Sequence, residues 1–142
     1  YDVTIPAGIT YARFSLFDEF VSPTSDLDLY VFNSGGTQIG GSGSGTSDEE
    51  VNLINPAAGL YYVMVDGYGT GNPSSFTLFS WLLGSTDAGN MTVSAPATAV
   101  IGQTGRIDLT FSGLTPDTKY LGSVVYGGIA GLPNPTIVRV DP

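Results

Sequence analysis

The sequence predicts an all-β fold, an antiparallel β-sandwich, and three observations carry that expectation. The run 26–33 (DLDLYVFN) alternates: Leu27, Leu29 and Val31 fall on one face, with Asp26, Asp28, Tyr30 and Phe32 on the other. Side chains along a strand repeat every two residues, so this is the pattern of a half-buried strand. The chain is also punctuated throughout, with 20 Gly and 9 Pro among many Ser and Thr, leaving only short runs between turns. Finally, no stretch sustains an apolar stripe at helical spacing over three turns.

Taken in order, strands are expected near 3–5, 10–17, 27–33, 37–39, 50–54, 59–66, 75–83, 91–95, 106–112, 119–126 and 136–140. The Tyr- and Val-rich segment from Leu60 to Val65 favours strand over helix. Asn33-Ser34-Gly35-Gly36 reads as a hairpin loop, since glycine accepts the positive φ such loops need. Asn55-Pro56-Ala57-Ala58-Gly59 is a second connection, with φ set by Pro56 and the exit permitted by Gly59. Leu114-Thr115-Pro116-Asp117 is a third. The run 40–46 (GGSGSGT) is expected to be an exposed loop. The polar stretch 84–90 separates an aromatic-rich part, 1–84, from an aromatic-poor part, 85–142, and is read as a domain boundary. The second part is short for a sandwich of its own and is expected to pack on or complete the first.

Composition excludes several functions. The 142 residues suffice for a packed core, with 42% hydrophobic residues. The net charge is −9, and the four bases, Arg13, Arg106, Lys119 and Arg139, are scattered. Nothing here neutralises a phosphate backbone, so nucleic acid is not an expected partner. The most apolar window, 76–83, is too short for a membrane span, which needs ~20 residues. With no Cys and no His, disulfides, thiolate or imidazole metal ligands and a Ser-His-Asp triad are ruled out within this chain. A Ser-Lys dyad would depend on Lys119, which reads as surface decoration. The run 40–45 lacks the Lys-Ser/Thr end of a phosphate loop. The chain opens at Tyr1 with no leader pattern and reads as a mature product or an excised piece.

Two groups of residues are candidate sites. Asp26 and Asp28 share a strand face with Cβ atoms ~7 Å apart. Asp48, Glu49 and Glu50 form a second acidic run. Side by side, the two could offer calcium part of the six to eight hard oxygens it takes at about 2.3–2.6 Å. The competing reading is solvated charge at strand ends. No cofactor is required on either reading, and no EF-hand loop is present. Carboxylate pairs for glycoside hydrolysis, Asp26 with Glu50 or Asp66 with Asp108, have no spacing to select them. The other group is aromatic: Tyr30, Phe32, Tyr62, Tyr68 and Trp81 are the expected binding surface, because exposed Tyr and Trp pack against sugars or protein at low entropic cost. Tyr61 and Tyr62 must point to opposite faces, so one of them faces outward.

The segments Val3-Thr4-Ile5-Pro6-Ala7-Gly8, Ala12-Arg13-Phe14, Asp26-Leu27-Asp28-Leu29-Tyr30-Val31, Asp48-Glu49-Glu50-Val51 and Asn55-Pro56-Ala57-Ala58-Gly59-Leu60-Tyr61-Tyr62-Val63, in that order, resemble the bacterial pre-peptidase C-terminal domain. The resemblance covers 1–84. Ser112-Gly113-Leu114-Thr115-Pro116-Asp117-Thr118-Lys119-Tyr120-Leu121-Gly122 and Thr136-Ile137-Val138-Arg139-Val140 are similar to the fibronectin type III-like tail that follows this module in some subtilisin-like peptidases. The resemblance implies a jelly-roll-like sandwich with a smaller fibronectin III-like subdomain. It further implies a secreted bacterial parent, a catalytic serine peptidase domain elsewhere in that parent, and a non-catalytic role here. That role is substrate attachment, help with secretion or folding, or stability. The expected partners are the parent's catalytic domain and a proteinaceous substrate. The alternatives are a carbohydrate-binding module and a purely structural stabiliser.

Overall fold

A computed structural model describes residues 1–69, 73–128, 132 and 134–142. Among them there is no α-helix, and the chain divides into two compact units, Tyr1–Ser85 and Thr86–Pro142. The all-β antiparallel class expected from the alternation is what forms.

The first unit is a two-layer sandwich. Its strands are β1 (Asp2–Ile5), β2 (Tyr11–Leu16), β3 (Val21–Ser22), β4 (Leu27–Asn33), β5 (Gln38–Ser42), β6 (Glu49–Ile54), β7 (Gly59–Gly67), β8 (Ser75–Phe76) and β9 (Phe79–Leu83), with one 3-10 turn at Asp18–Phe20. One sheet has the order β1-β7-β4-β5 and the other β6-β2-β9, while β3 and β8 pair as a short ribbon; every pairing is antiparallel. The core lies between the sheets. Ile5, Leu29, Val31, Tyr61 and Val63 from the first meet Ala12, Phe14, Leu16, Val51 and Leu53 from the second. Each is the inward member of an alternating run, so period-two spacing places it there.

The turns follow their chemistry. In the β4–β5 hairpin, Gly36 has φ +78° and its N–H donates to the Asn33 carbonyl at 2.9 Å. The Asn33 side chain accepts from the N–H groups of Gly35 and Thr37 at 3.0 and 2.9 Å. Between β6 and β7, Asn55 has φ +48° and Gly59 φ +152°, and the Tyr61 hydroxyl donates to the Ala57 carbonyl at 2.8 Å. Tyr61 points inward and Tyr62 outward, with 7% and 37% exposure.

Three local expectations need correction. The strand expected over 75–83 is two strands, because its ends pair with different partners: Phe76 lies opposite Val21, and Phe79 opposite Ser15. The ribbon strand β3 was not expected at all. The run 40–46 is not simply a loop, for Gly40, Gly41 and Ser42 belong to β5. The glycines there serve close approach. A Cβ on Gly40 would stand 2.5 Å from Val51 Cγ1, and one on Gly41 would stand 2.9 Å from the Tyr30 ring.

The second unit holds β10 (Met91–Ser94), β11 (Asp108–Phe111), β12 (Tyr120–Val124) and β13 (Thr136–Val140), paired as two ribbons, β10-β11 and β12-β13. No described residue in it is fully buried. Lys119 is not surface decoration: its side chain is 9% exposed and its Nζ lies 3.5 Å from Asp141 Oδ2, which Arg139 also contacts at 2.9 Å.

Candidate binding face and pocket

Period-two spacing turns one side of the β1-β7-β4-β5 sheet outward. Register then assembles it. Phe32 lies opposite Tyr62, Tyr30 opposite Met64, and Asp28 opposite Asp66. On the other flank of β4, Gly41 lies opposite Tyr30 and Gln38 opposite Phe32. The result is an aromatic and apolar ridge that becomes acidic at one end. Tyr62 and Met64 are 37% and 44% exposed, so the ridge is open.

At the acidic end the ridge falls into a pocket of about 440 Å³. Asp28, Tyr30 and Tyr68 line it together with Gln38 and the backbone and hydroxyls from Gly41 to Ser44. Asp28 is only 7% exposed although its strand face is the outer one. The Tyr30 hydroxyl donates to Asp28 Oδ2 at 2.9 Å. Gly43 lies close over the same carboxylate: a Cβ there would stand 2.9 Å from Asp28 Oδ1.

The wall of the pocket is braced from behind. Glu49, 3% exposed, accepts from the Ser42 hydroxyl and from the Ser44 N–H, the latter at 2.7 Å. Ser47 accepts from the Leu27 N–H at 3.1 Å and donates to the Ser25 carbonyl at 2.6 Å. Asp18 Oδ1 accepts from the Ser47 N–H at 2.7 Å, and Asp48 Oδ1 accepts from the Asp18 N–H at 2.9 Å. These bonds tie 42–48 to the sandwich, so backbone with little side-chain bulk is still held in place.

The field at the pocket is negative. The Tyr30 phenol is held above its ordinary value, first by its hydrogen bond to Asp28, then by burial, then by the charges of Asp28, Asp66 and Glu49.

The sequence-predicted acids are therefore dispersed by strand alternation. Asp28 lines the pocket, and Glu49 braces it. Asp48 caps the Asp18 backbone. Glu50 lies on the outer face of the other sheet, 2.9 Å from Arg13 Nη1, and accepts from the Asn52 amide at 2.7 Å. Asp26 Oδ1 is buried without a hydrogen-bond partner. Among the described residues, no three carboxylates gather closely enough to hold a metal ion. Of the predicted aromatics, Tyr30, Phe32 and Tyr62 share the ridge, and Tyr68 stands at the pocket. Trp81 is on the other sheet, opposite Arg13 and stacked on Phe79 at 5.8 Å. The sequence reading missed Gln38, Ser42, Gly43 and Ser44. Their only signal was the glycine-rich run, whose composition resembles that of a free loop.

Carboxylate, phenols, amide and hydroxyls in one concavity equip this place for recognition. Residues 1–67 match the family described as bacterial pre-peptidase C-terminal domain. Over 131 residues the chain is 29% identical to Pyrolysin of Pyrococcus furiosus, an alignment covering 89% of this chain and 9% of that protein. The chain thus spans less than a tenth of that curated relative. No solved structure matches.

Proposed function

We propose that this chain is a non-catalytic accessory region of a larger secreted subtilisin-like peptidase, and that it attaches the parent to protein through the open ridge Tyr30, Phe32, Tyr62 and Met64. The observation that carries the accessory reading is the family match over 1–67. The ridge supplies the means. Flat aromatic side chains on a sheet face bury area at little entropic cost, and the acidic surface favours solubility outside a cell. Residues 86–142 act as a fibronectin III-like appendage to the same parent. This reading assigns calcium no part, and it is supported by Asp48, Glu49 and Glu50 accepting from protein donors.

The test is retention on immobilised casein, insoluble collagen and polysaccharide. Wild-type retention on a protein matrix, lost in the double variant Tyr62→Ser, Met64→Ser, supports attachment; both positions are exposed, so the fold is expected to survive. Retention on polysaccharide alone would replace this reading with carbohydrate binding. Retention on none would favour a purely stabilising role.

A further inference from the structure

We infer that the pocket at Asp28 is a subsite for one basic side chain, a lysine ammonium or an arginine guanidinium, presented by the bound protein. The inference deepens the attachment reading and rests on it for the identity of the partner. Its chemistry stands on the pocket itself.

Four features select a cation. The first is Asp28, a carboxylate more than nine-tenths buried that faces the cavity. One of its oxygens accepts the Tyr30 hydroxyl, and the other takes no hydrogen bond among the described residues. The second oxygen keeps acceptor capacity at the cavity, and a charged donor satisfies a carboxylate best. The second is the surrounding charge. Asp66 lies across from Asp28, Glu49 stands behind the wall, and no base is among the described residues that line the pocket. The third is the two phenol rings. Tyr30 and Tyr68 line the cavity, and aromatic faces attract ammonium and guanidinium groups. The fourth is room: about 440 Å³ lies within the range of ~300–1,000 Å³ typical of small-ligand clefts.

Gly43 keeps this space open. A methyl group there would stand 2.9 Å from Asp28 Oδ1 and 3.1 Å from Oδ2, against the carboxylate a ligand must reach. Its φ is not in the left-handed region, so alanine is compatible with the backbone and acts as a plug.

The probe is N-acetyl-lysine amide, titrated into the isotope-labelled full chain while the backbone amides are followed by NMR. Saturable shifts are expected at Gly41, Ser42, Gly43 and Ser44. The neutral analogue, acetylated also on Nε, should bind at least about tenfold more weakly, since hydrogen bonds to charged groups are roughly twice as strong as neutral ones. Asp28→Asn retains an acceptor for Tyr30 but no charge, and is expected to weaken the probe about tenfold or more. Gly43→Ala should abolish the shifts. Tyr68→Ala, at a 66% exposed position, gives a second variant free of folding risk and should weaken binding severalfold. Asp87→Asn removes the same charge from an exposed site in the second unit and should change nothing.

Equal shifts from the neutral analogue, no shifts from either compound, or shifts from calcium chloride that displace the probe would each overturn the inference. Casein acetylated on its lysines separates it from the attachment reading. Equal retention of native and acetylated casein by the wild type would sink the subsite and spare attachment. Probe binding without casein retention would do the reverse.

Discussion

In Tyr1–Ser85 two sheets close on each other, and every buried hydrophobic side chain among the described residues lies there; in Thr86–Pro142 four strands pair as two ribbons and no described residue is fully buried. Both regions alternate in sequence. Thr136–Val140 spaces Val138 and Val140 as Leu27–Asn33 spaces its leucines, yet both remain only half-buried. Alternation makes a strand, but burial needs a second layer. A two-stranded ribbon is marginal alone, whereas three or more strands with a covered apolar face are self-sufficient. Within its own bounds the second unit has the local approach of Gly122 to Met91, where a Cβ would meet Met91 Cε at 3.5 Å, and the ion pairs around Asp141. Partly exposed pairs of that kind contribute little.

This contrast can be broken most directly by dividing the chain. Residues 1–85 alone are expected to melt cooperatively, and 86–142 alone to show no cooperative transition by circular dichroism and calorimetry. A sharp melt for the second piece would refute the contrast.

Next in size is truncation in the core. Phe14→Ala removes a side chain with 0% exposure and should cost about 3–5 kcal/mol. Val138→Ala, half-buried in the second unit, should cost under about 1 kcal/mol. Urea melts of the two variants would measure the gap.

Gly40→Ala tests the close approach that distinguishes β5 from a loop. Its Cβ would press on Val51 at 2.5 Å, an overpacking cost of about 1–3 kcal/mol. If 40–46 behaved as the free loop its composition implies, the midpoint would not move.

A smaller effect separates two phenols by pH. Tyr30 is held above the ordinary tyrosine value, chiefly by donating to Asp28. Tyr120 is held below it, chiefly by hydrogen bonding at Thr115, whose N–H donates to the phenol oxygen at 3.0 Å. The signs are opposite. The stability contributed by Tyr30 is fully present below the unfolded value of about 10 and is lost as pH rises through the higher folded value. That of Tyr120 appears as pH rises through its lowered value and is complete above about 10. Tyr30→Phe should therefore flatten the alkaline loss of stability, and Tyr120→Phe should steepen it, in midpoints followed from about pH 8 to 11.

The smallest expected effect is none. Midpoints in calcium and in chelator should coincide. A midpoint raised by calcium would return Asp26, Asp28, Asp48, Glu49 and Glu50 to the role of ligands.

Much of the sandwich was legible. The bounds expected for β4 and β13 are those observed, because each is a β-branched or alternating run set between turn residues. That one of Tyr61 and Tyr62 turns outward followed from their adjacency in a strand. What escaped were elements whose cause lies elsewhere in the chain. β3 and β8 are two-residue strands that exist only because each pairs with the other. The 3-10 turn at Asp18–Phe20 is held in part by Asp48, a residue thirty positions on. The pocket escaped for a related reason: glycine and serine read as slack until Glu49, Ser47 and Asp18 are seen holding them.

The sequence by itself determined which side chains share a face. Asp28, Tyr30 and Phe32 go together wherever their strand is placed, because the peptide geometry alternates them. It also determined, through the absence of His and Cys, which chemistries are closed to this chain. Only the tertiary structure decided that Tyr62 and Met64 extend that face, that Trp81 lies on the other sheet, and that the glycine-rich run folds over Asp28 to make a pocket. Those outcomes depend on register between segments far apart in the chain, and register is set by the packing of the whole sandwich rather than by any one segment.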